Sequence, residues 1–186
     1  MSYVPLWCKS NFSFLEGASH PEELVEQAYA HGLRSLALTD RDGVYGVVRA
    51  YVKAQELGIH LIIGAEVTVS DPACSSTCIF LALNSTGYTN LCRLLTGGRL
   101  RSPKGESSVT WSEIFNHSDG LMALWGGDRS ALVRSGSTEI EKQSLHRVIS
   151  QMRDAFGDRL YAVVCRHRRT EEVQQEACLR RHAGRA

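Results

Sequence analysis

The sequence predicts an α/β fold built from parallel β/α units, and three observations predict it. Short apolar runs alternate with helical patterns about six times along the 186 residues. Charged and polar residues gather just past the ends of the apolar runs, where such folds bring their loops together. No G-x-G-x-x-G or G-x-x-x-x-G-K-[ST] follows the first run, so the fingerprints of the nucleotide-binding α/β folds are missing. The remaining choice is between an open sheet and a barrel that starts to close. A closed barrel of this kind needs more residues than these, so the chain reads as a single domain over 1–186 that is incomplete at its C-terminus.

Each element has its own signal. Tyr3–Leu6 is a short extended run. Ser19-His-Pro-Glu22 reads as a capping box opening a helix, with Pro21 in its first turn, Leu24, Val25 and Ala28 on one face, and Gly32 as the stop. "SLALT" (Ser35–Thr39) reads as a buried strand ended by the turn Asp40-Arg-Asp-Gly43. Val44–Leu57 is a helix with Val47, Val48, Tyr51 and Ala54 inward and Gly58 closing it. His60–Val69 and Cys78–Leu83 read as strands, and Tyr88–Leu95 as a helix. Thr96–Ser108 is then a basic Gly/Ser/Pro loop, followed by a second capping box at Thr110-Trp-Ser-Glu113. Gly120–Gly127 is a strand, Ile140–Phe156 a helix, Arg159–Cys165 a strand and Thr170–His182 a final helix.

Composition narrows the function classes little. Hydrophobic content of 43%, charged content of 22% and a net charge of +1 are ordinary for a soluble domain. The segment from Arg166 to Ala186 holds six Arg and three Glu, a pattern usual for a solvated helix face. Neither a signal peptide nor a run of about 18 apolar residues is visible, so no membrane partner is expected and the cytoplasm is the expected compartment. The six cysteines are scattered, and Cys74/Cys78 has no second close pair to complete a zinc knuckle, so reduced thiols are expected.

Five places carry chemistry-bearing residues: Trp7/Lys9 after the first strand, Asp40/Arg41/Asp42 after the second, Glu66 by the third, Thr77 at the start of the fourth and Cys165/His167 at the end of the last. Trp7 and Lys9 are two apart, so an extended segment presents them on one face. Each has a plainer reading beside it. Asp40 suits a helix cap, Glu66 a surface carboxylate, and His167 in "CRHRR" an exposed ring. Cys165 has no base near it in sequence and is no candidate nucleophile. Arg99, Arg101 and Lys104 are candidate contacts to a DNA backbone, set against the default of a mobile surface loop.

The stretches "SNFSFLEGASHPEELVEQA", "LALTDRDGVYGVVRA", "GIHLIIGAEV" and "NSTGYTNLCRLLTGGRLRSPKGE" resemble the PHP (polymerase and histidinol phosphatase) domain of bacterial C-family DNA polymerases. They look most like the error-prone paralogue of the DNA polymerase III alpha subunit, over about Tyr3 to Arg169. The resemblance implies a distorted (β/α)7-type barrel with a cluster of up to three divalent metals. The family's His-x-His falls on Trp7 and Lys9, so both ligands are replaced. Its carboxylate before a glycine is kept as Glu16, and Thr-Asp-His becomes Thr39-Asp40-Arg41, keeping the carboxylate and losing the imidazole. Gly-Ala-Glu is intact as Gly64-Ala65-Glu66, a later His aligns with Thr77 and another with His167, and the final Asp-x-His lies beyond Ala186.

The departures have chemical consequences. Zinc or manganese needs imidazole or carboxylate donors, whereas Trp offers no lone pair and Lys9 and Arg41 are cations at pH 7. Such a mouth is expected to lack the trinuclear site and its metal-bound hydroxide. Lys9 and Arg41 instead neutralise Glu16, Asp40 and Glu66, each contact worth about 4 kcal/mol before desolvation. Zn or Mn is the expected cofactor only if the site is retained. The resemblance implies a non-catalytic, structural domain of a DNA-directed DNA polymerase for damage-induced translesion synthesis and repair. Its palm, fingers and thumb are absent here; its partners are those polymerase domains and, indirectly, DNA. The competing readings are a metal-dependent phosphoesterase or 3'-5' exonuclease, and a free-standing α/β binding module. An incomplete barrel standing alone is expected to expose strand edges and to self-associate.

Overall fold

The computed structural model describes residues 3–72, 74–133, 138–166, 169–170 and 172–183. Six helices and five strands follow one another among these residues. They are α1 (Pro21–Ala30), β1 (Ser35–Leu38), α2 (Val47–Leu57), β2 (His60–Val69), β3 (Ser76–Ala82), α3 (Ser85–Arg101), α4 (Trp111–Asn116), β4 (Leu121–Gly126), α5 (Glu139–Phe156), β5 (Leu160–Val163) and α6 (Glu172–Ala183). The strands form one curled mixed sheet in the order β1-β2-β3-β4-β5. Among the described residues no helix is long and apolar enough to cross a membrane.

The sheet is not wholly parallel. β1 runs parallel to β2 and β4 to β5, but β3 is antiparallel to both of its neighbours. The link between β2 and β3 explains this, because only a few residues separate Val69 from Ser76, too few for a crossover helix. β2 divides its ladder: His60–Ile63 pair with β1, and Gly64–Val69 pair with β3. Gly64 marks the change of partner, and a Cβ there would lie 2.6 Å from the Phe80 carbonyl oxygen. Close backbone approach is therefore why the Gly-Ala-Glu motif begins with glycine. The Tyr3–Leu6 run is not a ladder strand. It lies along β1 through Ala37 N–H donating to Pro5 O (2.9 Å) and Thr39 N–H donating to Cys8 O (2.8 Å).

Several element boundaries move from the sequence reading. The first capping box is one residue later, with the His20 N–H donating to Glu23 at 2.7 Å. α2 buries Val47, Ala50 and Ala54, while Val48 and Tyr51 point outward. α3 runs on through Thr96–Arg101, so half of the expected basic loop is helix. The capping box at Thr110/Glu113 and the closure of α2 by Gly58 stand as read.

Two cores fix the frame. β2, β3 and β4 bury Val67, Phe80 and Ala123 against α3, α4 and α5, with Phe80 stacked on Phe156 at 5.7 Å. α1 and α2 bury Val25 and Ala50 against β1. Ile79, Leu81, Leu124 and Ala37 form a smaller cluster on the sheet's other face, as the two-residue strand period requires. No disulfide joins any of the six cysteines.

Candidate functional site

The carboxyl ends of β1, β2, β4 and β5 meet at one mouth. Because β3 runs backwards, its first residues meet them there, which brings Thr77 to the site from a strand start. The mouth encloses a cleft of about 350 Å³ lined by Trp7, Lys9, Glu16, Glu66, Thr77 and Arg129, with Asp128 and Cys165 completing it.

Glu66 is the deepest charge, 2% exposed. Parallel bridging between Arg41 and Glu66 aligns its strand with the end of β1, through Glu66 N–H to Asp40 O (3.1 Å) and Asp42 N–H to Glu66 O (2.8 Å). Its Oε2 accepts from the Trp7 indole Nε1 at 2.8 Å and pairs with Lys9 Nζ at 2.9 Å. Lys9 Nζ also reaches Glu16 Oε2 at 2.5 Å, so one ammonium bridges two carboxylates. The other Glu16 oxygen takes Arg41 Nη1 and Arg129 Nη1, each at 2.7 Å. Burial works to raise the Glu16 carboxyl, but hydrogen bonds from Lys9, Arg129 and Arg41 outweigh it and hold the group at about 2.

Asp40 does something different. It is buried and accepts from Ser10 N–H (2.7 Å), Ser10 Oγ (2.7 Å) and Ser13 Oγ (2.6 Å). Ser13 Oγ in turn accepts from the Arg41 N–H at 2.9 Å. Asp40 thus ties down the 10–17 loop that carries Glu16. Of the expected pairs, Lys9 reaches both Glu16 and Glu66 and Arg41 reaches Glu16, while Asp40 is satisfied by serines instead. Asp42, at φ 51°, binds Thr68 through its N–H and hydroxyl (both 2.7 Å), and burial raises its carboxyl.

His167 lies outside the described residues. Arg99 lines a second cleft together with Arg41, its Nε donating to Asp42 O (3.0 Å) and its Nη1 to Glu106 O (3.3 Å). Arg101 pairs with Glu113, and Lys104 stands exposed in the turn after α3. Cys165 lines the cleft, but burial, then Asp128, Glu172 and Glu66, push its thiol up, away from a reactive thiolate. The third cation, Arg129, is absent from the sequence reading. A signal for it exists, since "GGDRS" directly follows the apolar run of β4 and so stands at a strand end like the others.

The donor set at the mouth, among the described residues, does not suit a multinuclear metal site. Among the described residues no three His, Cys, Asp or Glu side chains converge as metal ligands. The Lys9 ammonium stands between the Glu16 and Glu66 carboxylates. Protonated amine and guanidinium groups have no lone pair to give.

Residues 6–167 match the PHP domain, and the chain belongs to that family. Among its curated relatives, the error-prone DNA polymerase of Rhodopirellula baltica is 37% identical over 186 residues, 97% of this chain and 16% of the relative. That of Anaeromyxobacter sp. (strain K) is 39% identical over 178 residues, 89% of this chain and 14% of the relative. The chain therefore spans only 14–16% of the length of these relatives. Among solved structures, an amidohydrolase from Chromobacterium violaceum with bound sulfate and no metal matches with a TM-score of 0.67 at 17% identity, over 98% of this chain and 83% of its own. A protein from Bifidobacterium adolescentis described as a metal-dependent phosphoesterase matches with a TM-score of 0.65 at 17% identity, over 97% and 84%. These two likenesses concern the fold.

Proposed function

We propose that this chain is a structural PHP domain of an error-prone DNA polymerase of the DNA polymerase III alpha type, in which ion pairs stand where metals would bridge strand ends. The single observation that carries the reading is Lys9 Nζ seated between Glu16 Oε2 (2.5 Å) and Glu66 Oε2 (2.9 Å). Arg41 and Arg129 complete the neutralisation from two further loops. The domain then performs no phosphoester hydrolysis itself. The nucleotidyl transfer of translesion synthesis and DNA repair belongs to palm, fingers and thumb domains beside it, in the cytoplasm, and DNA is reached through them. Arg99, Arg101 and Lys104 are the residues nearest to a direct phosphate contact in this scheme.

The test is elemental analysis for Zn, Mn and Fe on the purified, tag-free chain, with melting curves of Lys9→Ala and Arg41→Ala. We expect well under one metal per chain. Lys9→Ala should melt earlier than Arg41→Ala, because Arg129 still holds the oxygen of Glu16 that Arg41 releases. Two or three metals per chain, or melting temperatures that neither substitution moves, would overturn the reading and put metal-dependent phosphoester hydrolysis first.

A further inference from the structure

The second cleft, of about 450 Å³, has Phe12, Phe14, Arg41, Asp42, Arg99 and Glu106 in its lining. That volume falls within the ~300–1,000 Å³ usual for small-molecule sites. Two cations and two carboxylates are present, so no net charge favours a phosphate. These charges divide into spent and unspent. Arg41 is paired with Glu16 and Asp42, and the Asp42 carboxylate accepts from the Thr68 N–H and hydroxyl. Arg99 donates only to the main-chain oxygens of Asp42 and Glu106, which leaves its Nη2 without a partner among the described residues. The exposed Glu106 side chain has no ion pair among them either. An open guanidinium and an open carboxylate thus line one cleft, tied together at 3.3 Å through the Glu106 carbonyl, without neutralising each other.

The wall beside them is aromatic and stiff. Phe14 is 83% exposed in the 10–17 loop, and the Phe12 ring lies 6.3 Å from that of Tyr45, over which the Arg99 guanidinium sits at 6.0 Å. Asp40 holds Ser10 and Ser13 of that loop, and Lys9, Arg41 and Arg129 hold its Glu16. Leu15 keeps φ +62°, in the left-handed region that a leucine enters only at a cost. The loop is therefore braced with the Phe14 ring in water. An exposed ring held in place is a stacking surface for another flat ring.

We propose that this cleft binds a single guanine-type base, stacked on the phenylalanine wall, with Glu106 accepting from its N1–H and N2–H groups and Arg99 Nη2 donating to its O6. The ligand that satisfies both open charges has to be flat, uncharged, and a donor along one edge and an acceptor beside it. Guanine has this pattern. Adenine fails at both points, because it carries an amino group in place of O6 and no hydrogen on N1. The same chemistry belongs to a free guanine nucleoside and to a guanine unstacked in a single strand. The inference needs only the chain itself and stands apart from the polymerase reading.

The experiment is equilibrium dialysis of the 186-residue chain against deoxyguanosine and, separately, deoxyadenosine. We expect deoxyguanosine to bind with a Kd of order 0.1 mM, and about tenfold or more tighter than deoxyadenosine. Glu106→Gln should remove most of that preference, and Phe14→Ala should weaken both nucleosides about threefold or more. Both side chains are exposed, so each variant should melt within about 1 °C of the parent. A second arm uses an oligothymidylate strand carrying one guanine, beside the same strand without it. Tighter binding of the guanine strand than of free deoxyguanosine would place the base in a strand, and equal or weaker binding would make it a free nucleoside; either bears out the site. An all-thymidine strand that binds as tightly as deoxyguanosine would assign the cleft to phosphate contacts and overturn the proposal. Equal affinity for the two nucleosides, or deoxyguanosine binding that neither substitution moves, would also overturn it. So would an absence of binding to a chain that melts cooperatively.

Discussion

Glu16 receives three cations from three separate stretches of chain, so its charge state governs the whole mouth. Its carboxyl titrates near 4.5 in an unfolded chain and about 2 in the folded one. The stability it contributes is therefore fully present above about 4.5 and is lost as the pH falls from there toward 2. Urea midpoints measured between pH 5 and pH 2.5 should fall more steeply for the parent than for Glu16→Gln, which removes the titrating group. Glu66→Gln should cost about 2 kcal/mol at pH 7, because Lys9 then keeps one carboxylate in place of two; chemical denaturation reads this directly. Trp7, Lys9 and Arg41 stand out in sequence because a side chain without a lone pair is conspicuous at a strand end, and the fold gathers all three around Glu16 and Glu66. Asp40 is not legible in the same way. Its partners Ser10 and Ser13 are ordinary loop serines until the fold brings them within 2.7 Å.

At the scale of the element, apolar pattern locates α2 but assigns its face wrongly. Val47, Val48, Tyr51 and Ala54 fit one stripe as well as Val47, Ala50 and Ala54 do, and the smaller set is the one buried. The helix packs closely on α1 and β1, where alanine fits and tyrosine does not. α3 overruns its expected end because Thr96-Gly-Gly reads as a break, whereas Gly98 lets the helix sit against Ser107 and Val109. The same kind of contact fixes the start of α3. A Cβ on Gly87 would stand 1.9 Å from the backbone oxygen of Gly120 in the turn before β4. Backbone cannot yield as a side-chain tip can, so Gly87→Ala should cost roughly 3 kcal/mol. A thermal melt checks it, with Gly97→Ala, whose nearest contact is the Arg101 side chain at 3.5 Å, as the tolerant control.

For the whole molecule, strand–helix alternation and the motifs suffice to give the fold class and the strand ends that form the mouth. They do not give strand direction. The reversal of β3 depends on the short 70–75 link, and a short link read in isolation fits either a tight turn or the end of a strand. The consequence for the mouth is favourable, since reversal delivers Thr77 to the same side as Glu66.

The contact between Glu16 and Arg129 spans 113 residues of chain. An ion pair that closes so long a loop can form only after β4 has found its place, so it belongs on the native side of the folding barrier. In kinetic terms it acts as a latch rather than a nucleus. Arg129→Ala should quicken unfolding several-fold in stopped-flow measurements and leave the refolding rate nearly unchanged, whereas a slowed refolding limb would place this contact among the first to form.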